Sequence, residues 1–152
     1  MQFDKLTQEK VEAFHKLLGA RFRSIEVASP DAPITVLATD LEDKQYYVRI
    51  EMLEGSVDDI SSTGIKIENV IFYQLAQLMQ SENNVFIMVI FKDGFVMWFL
   101  NEVSGEQMKV TDENVLIGIT SALHVENAND PKYKPVTLSS ADGKSVYVFK
   151  KD

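Results

Sequence analysis

The chain has 152 residues, 45% hydrophobic and 25% charged, proportions that suit one globular domain with a core of its own and weigh against wholesale disorder. It carries 23 acidic against 15 basic residues, a formal net charge of −8, so free nucleic acid is repelled over most of its surface, and the acidity reads either as charge that keeps the chain soluble or as a match for a basic partner. With no cysteine, disulfide frameworks, thiol catalysis and cysteine-based zinc sites are excluded, and no stretch reaches the roughly 18–20 apolar residues of a membrane span.

The first ten residues lack the basic and apolar runs of a signal peptide, and the expectation is a cytoplasmic protein without membrane contact. Thr7 caps a first helix, Glu9 sits in its positive first turn and Gly19 closes it. Val11, Phe14, Leu17 and Leu18 recur at helical spacing and define its buried face. Arg21 to Val27 reads as a strand with Arg23, Ile25 and Val27 on one face and Phe22, Ser24 and Glu26 on the other. Residues 29–33 are a turn, because Pro30 and Pro33 do not fit a central ladder. Ile34 to Thr39 is a second strand, and residues 40–44 are a polar reversal. Gln45 to Leu53 is the third strand, with Tyr46, Val48, Ile50 and Met52 on one face and Tyr47, Arg49, Glu51 and Leu53 on the other.

After a loop from Glu54 to Gly64, the spacing predicts a helix over 65–81, capped by Ser62 or Thr63. Its apolar stripe of Ile67, Val70, Ile71, Leu75, Leu78 and Met79, broadened by Phe72, should lie against the sheet. Val85 to Phe91 is an unbroken apolar run that suits a central strand covered on both faces. Lys92-Asp93-Gly94 turns the chain tightly, and Phe95 to Leu100 returns as a second apolar strand. Thr111 to Asn114 reads as a helix start, with Val115, Leu116, Ile119, Ala122 and Leu123 as its apolar face to about His124. Glu126 to Pro135 is a loop, and Val136–Leu138 pairs with Val146–Phe149 across Ala141–Lys144 as a small closing hairpin. The expectation is a single α/β domain with a mixed sheet of about five strands flanked by helices. Its αβββαββ core spans 5–100, and 101–152 is a C-terminal extension of one helix and a hairpin.

Helix, three strands, helix and strand, in that order over residues 5–100, resembles the core of the restriction-endonuclease-like family, the PD-(D/E)XK nucleases and their inactive relatives. The resemblance implies a divalent-metal site: an aspartate opening the second strand, an acid on the third, and a lysine two residues on. Close carboxylates hold a hard cation, which lowers the pKa of its bound water. Asp31 after Pro30 falls at the first metal position, and Glu12 and Gln74 fall where some members keep auxiliary residues. The third strand departs from the pattern, with Arg49 where the acid belongs and Glu51 where the lysine belongs. A guanidinium there repels the cation the chemistry needs. Pro30-Asp31 followed by Glu42-Asp43-Lys44 satisfies the pattern as text, but that triplet sits in the reversal before the strand.

Arg49 and Glu51 are two apart on one strand and project together. They read either as an exposed face with an ion pair worth at most about 1 kcal/mol, or as a recognition face built with Tyr47. Tyrosine and arginine are favoured at interface hot spots, and Asp31 offers Arg49 a second carboxylate partner. Tyr47, Arg49, Glu51 and Asp31 are therefore the candidate protein-binding residues. His15 and His124 have no metal-ligating spacing, no nucleophile elbow or P-loop is present, and Trp98 reads as core. Neither a cofactor nor a metal is expected.

The first functional expectation is a non-catalytic acidic protein-binding module of the immunity or inhibitor kind. It would cover a basic partner, such as a toxin or a nucleic-acid enzyme, by charge complementarity. The second is a metal-dependent nuclease with a migrated site built from Asp31, Glu51 and Glu12, with Lys66 as a displaced cation. The third is a homo-oligomeric structural subunit joined through a sheet edge or the terminal hairpin.

Overall fold

The computed structural model describes residues 5–60, 64–119, 122, 130–139 and 145–151, the last two stretches with side chains only in part. In chain order its elements are α1 (Lys5–Leu18), β1 (Phe22–Val27), β2 (Val36–Asp40), β3 (Gln45–Met52) and β4 (Ile65–Glu68). Then come α2 (Asn69–Met79), β5 (Val85–Phe91), β6 (Gly94–Phe99), β7 (Met108–Val110), β8 (Asn114–Ile117), β9 (Tyr133–Ser139) and β10 (Ser145–Lys151). Seven strands form one mixed sheet in the order β1-β2-β3-β5-β6-β10-β9, and β4-β8-β7 form a second, smaller sheet. The α/β class and mixed main sheet match the sequence reading, while the expected five strands are too few.

β5 lies fourth of the seven, parallel to β3 and antiparallel to β6, and every one of its residues is buried. A strand is apolar throughout when both faces are covered. On one face, Phe14, Leu17 and Leu18 of α1 pack over Val36, Ala38, Val48, Ile50, Phe86, Met88 and Ile90. On the other, Leu75 of α2 and Ile65, Ile67, Val115 and Ile117 of the small sheet cover Val85, Ile87, Val89 and Trp98. Each such side chain contributes about 1.5–3 kcal/mol by leaving water. Trp98 is fully buried and donates its indole N–H to the Gly118 carbonyl at 3.1 Å, which ties the small sheet to the large one.

Three sequence expectations are corrected. Residues 65–68 are not the first turn of a helix but β4, since Ile65-Lys66-Ile67-Glu68 alternates buried and exposed and pairs with β8. The 3.6-residue spacing of Ile67 with Ile71 imitates a helix across that boundary. Within the shortened α2, Leu75 is buried and Ile71, Phe72, Leu78 and Met79 pack against the core, but Val70 faces solvent. The proposed caps Ser62 and Thr63 lie outside the described residues.

The second correction concerns Thr111–Asn114, which is a hairpin turn between β7 and β8 and not a helix start. The Thr111 hydroxyl accepts the Asn114 N–H at 3.1 Å, and the Thr111 N–H donates to the Asn114 carbonyl at 2.8 Å. Threonine satisfies a turn with the same chemistry it uses at a helix cap. Val115 and Ile117 are buried with Leu116 between them, which is strand alternation. Leu123 and His124 lie outside the described residues. The third correction is to β1, where the register shifts between Phe22 and Ser24 and lets Phe22 and Ile25 pack on the same core.

The C-terminal hairpin forms as expected but is longer. β9 and β10 pair over Tyr133–Ser139 and Ser145–Lys151, and β10 joins the main sheet beside β6 through Phe149↔Phe95 and Lys150↔Gly94. This docking also revises the role of Gly94. Phe91 pairs with Gly94, so the loop is Lys92-Asp93 alone, and a Cβ on Gly94 would strike the carbonyl oxygen of Phe149. Close approach of β10 demands the glycine there.

Candidate functional site

β3 and β5 run parallel through the middle of the main sheet, and β4 crosses in front of them on the α2 side, leaving a cleft of about 580 Å³. Its floor is apolar, with Ile87 and Phe91 from β5, Ile60 from the 3-10 turn Val57–Ile60, and Ile67 and Ile71 from the opposite wall. Its charged lining comes from three segments: Arg49 and Glu51 on β3, Glu54 and Asp59 around the 3-10 turn, and Lys66 and Glu68 on β4. Four carboxylates thus face two cations around a greasy floor.

Arg49 and Glu51 are brought together as the strand period requires. The guanidinium Nη2 lies 2.7 Å from Glu51 Oε1, and Nη1 donates to the Pro33 carbonyl at 2.9 Å. Their side chains are 20% and 31% exposed, so this is a half-buried pair on a cleft wall, not one on an open sheet face. Partial solvation keeps its worth on the order of 1 kcal/mol. Of the two carboxylates that sequence offered to Arg49, the structure selects Glu51. Asp31 sits exposed in the β1–β2 turn, where its N–H approaches the Ser29 hydroxyl at 3.4 Å, and it does not line the cleft.

Tyr47 shares the Arg49 face but serves elsewhere. Burial and a hydrogen bond from its hydroxyl to the Glu82 carboxylate push its pKa up, and its ring packs on the core beneath α2. The four candidate residues therefore divide: Arg49 and Glu51 form one wall of the cleft, Tyr47 anchors the far end of β3, and Asp31 stands apart.

Glu12 belongs to α1, which packs on the opposite face of the sheet, and Gln74 points to solvent from α2. Glu42-Asp43-Lys44 lies in the β2–β3 turn, as its polarity suggested. There Asp40 accepts the Glu42 and Lys44 N–H groups and the Tyr46 hydroxyl, and Asp43 takes a φ of 68°. The backbone donors from Lys44 and Glu42, reinforced by Tyr46, hold the Asp40 carboxyl below its ordinary value against a smaller effect of burial.

Sequence reasoning missed Glu54, Asp59 and Glu68, and placed Lys66 on a helix. The signal was present in the alternation at 65–68, which sets Lys66 and Glu68 on one side of a strand and Ile65 and Ile67 on the other.

A divalent metal, which the family resemblance implies, does not fit these donors. Glu51 is already engaged by a guanidinium that keeps its charge at neutral pH. Among the described residues no group of three or more histidine, aspartate or glutamate side chains is arranged to hold an ion. What the cleft can do is bind cationic groups against its carboxylates while covering an aliphatic stem with its floor. Among the described residues no helix is long and apolar enough to cross a membrane.

No family model matches the chain, and no curated protein matches its sequence. Among solved structures the fold is similar to Hjc, a Holliday junction resolvase from Archaeoglobus fulgidus, with a TM-score of 0.49 and 14% identity over 75% of this chain and 94% of that one. A likeness at that level carries no argument about this chain.

Proposed function

We propose that the chain is a non-catalytic, acidic protein-binding module of the immunity or inhibitor kind, whose cleft between β3, β5 and β4 receives a basic segment of its partner. The observation that carries this reading is the lining itself: Glu51, Glu54, Asp59 and Glu68 against Arg49 and Lys66, over a floor of isoleucine and phenylalanine. Lysine and arginine side chains match both parts, with their methylenes on the floor and their cations at the rim. The net charge of −8 adds long-range attraction for the same kind of partner. The test is capture from native lysate on the tagged wild-type chain and on a Glu51→Lys, Glu68→Lys double variant. A basic protein held by the wild type, released by salt and lost from the variant supports the proposal. Equal capture by both would sink it.

A second reading, a nuclease with a displaced site, draws on one observation. Glu51 and Lys66, two of the residues such a site would use, do line the same cleft. Asp31 and Glu12 do not, and the Arg49 pairing of Glu51 opposes it. Incubation with plasmid and Mg²⁺ or Mn²⁺ separates the readings, since cleavage abolished by Glu51→Gln would reverse their ranking.

A further inference from the structure

Five consecutive residues, Gly64 to Glu68, all line the cleft. Successive side chains of a strand point to opposite faces, so a wall built from every residue in turn is the edge of β4 and not one of its faces. β4 is the outer strand of the small sheet, whose order is β4-β8-β7. Its inner edge pairs with β8, and its outer edge looks across the cleft to Arg49 and Glu51 on β3.

The register fixes which backbone groups lie on that outer edge. The Asn69 N–H donates to the Glu113 carbonyl at 3.0 Å, one step beyond the Glu68↔Asn114 pair. Hydrogen-bonded pairs alternate along an antiparallel ladder, so Ile67 bonds Val115, Ile65 bonds Ile117, and the backbone groups of Lys66 and Glu68 point outward. The other side of β8 agrees. The Thr111 N–H bond to the Asn114 carbonyl turns Asn114 and Leu116 toward β7 and leaves Val115 and Ile117 for β4. Glu68 is the N-cap residue of α2, and its carbonyl accepts the first bond of that helix. Three groups remain, the Lys66 N–H, the Lys66 carbonyl and the Glu68 N–H, and none has a protein partner among the described residues.

We infer that the basic segment of the partner enters the cleft as an extended strand and adds antiparallel to the free edge of β4, an inference that rests on the role proposed for the cleft. Two observations select this occupant. A row of unpaired backbone donors and acceptors is matched by the backbone of another strand. The carboxylates of Glu51, Glu54, Asp59 and Glu68 around that row are matched by lysine and arginine. Antiparallel addition continues a sheet whose existing pairs are both antiparallel. β4 has four residues, about 13 Å of strand, so the recognised segment is short. Its residues opposite Lys66 and Glu68 keep their side chains on the exposed side. Those between turn inward beside Ile65 and Ile67, over Ile87 and Phe91 and toward Glu51. The edge therefore reads a lysine or arginine at every second position.

The probe is a hexapeptide of alternating lysine and threonine, its affinity read from amide shifts of the cleft residues at low salt. With the lysines turned inward, the threonine N–H groups face β4 and the lysine N–H groups face away. Methylating the threonine backbone nitrogens should weaken binding at least about tenfold, and methylating the lysine ones less than about threefold. On the chain, Lys66→Ala removes a cation that repels the peptide and should tighten binding. Lys66→Pro removes the same cation together with the edge N–H and should weaken it, and because that N–H lies outside the β4–β8 ladder the strand accepts proline there. Equal affinities of the two methylated peptides, or Lys66→Pro binding as tightly as Lys66→Ala, overturn the inference and leave the basic occupant of the cleft standing. An unmethylated peptide that shifts no cleft residue overturns both.

Discussion

Asp93 joins three parts of the molecule that are far apart in sequence, and its removal should be felt both in stability and at the cleft. Its carboxylate accepts the Ser56 hydroxyl at 2.6 Å and the Val57 N–H at 2.8 Å, and its carbonyl accepts the Lys151 N–H. The first two bonds hold the 3-10 turn Val57–Ile60, in which Val57 and Ile60 are buried and Asp59 and Ile60 line the cleft. Hydrogen bonds to a charged group contribute about 1.5–3 kcal/mol each. Asp93 is partly solvated, so Asp93→Ala should cost about 2–3 kcal/mol in all. In a domain of this size that is a fall in melting temperature of roughly 5–10 °C.

The pH dependence follows from the same contacts. Burial acts to raise the Asp93 pKa, but the bonds from Ser56 and Val57 and the nearby Lys150 cation outweigh it and hold the carboxyl below its ordinary value of 3.8. A depressed carboxyl contributes stability above its unfolded pKa and loses it as pH falls through the folded one. The gap between wild type and Asp93→Ala should therefore be full at pH 7 and shrink below about pH 3.8. Urea titrations followed by circular dichroism at pH 7, 5 and 3.5 measure it. A gap under about 0.5 kcal/mol at neutral pH, within the range of ordinary surface substitutions, would refute the reasoning, and so would one that widens on acidification.

Gly64 sits at φ +70° at the cleft rim, where a Cβ would run into the Ile117 carbonyl. Gly64→Ala should therefore lower stability by at least about 2 kcal/mol, and an unchanged melt would contradict the β4–β8 arrangement. Trp98→Phe keeps an aromatic core but strands the Gly118 carbonyl, and a loss of about 1–3 kcal/mol is expected in denaturant titration. A variant as stable as the wild type would mean that the indole does not tie the sheets. Because Arg49 engages Glu51, millimolar Mg²⁺ or Mn²⁺ should leave the melting temperature unchanged to within about 1 °C. A rise abolished by Glu51→Gln would show a working metal site.

The parts legible in sequence were those where one period dominated. The unbroken apolar run Val85–Phe91 suited a strand covered on both faces, and the alternation of β3 placed Tyr46, Val48 and Ile50 opposite Tyr47, as found. The ion pair of Arg49 with Glu51 followed from the same alternation. The reading failed where two periods fit the same residues. Ile65–Glu68 alternates as a strand yet runs without a break into a helix, so the two merged into one element. Thr111 at a turn is chemically the same as threonine at a helix cap, and only pairing with β4 and β7 decides between them. The cleft was hidden for a related reason. Its charges come from β3, the 3-10 turn and β4, and only the crossing of β4 over the sheet gathers them. Gly94 shows the limit most plainly, since its purpose is set by a strand that arrives some fifty residues later in the chain.

Isotope-edited amide spectra of the chain, titrated with a lysine- and arginine-rich peptide at low and high salt, test directly whether the cleft takes a basic segment. The account expects shifts gathered on Arg49, Glu51, Asp59, Lys66, Glu68 and the Ile87 and Phe91 floor, fading as salt screens the charges. Shifts scattered over the acidic surface, or none in the cleft, would contradict it.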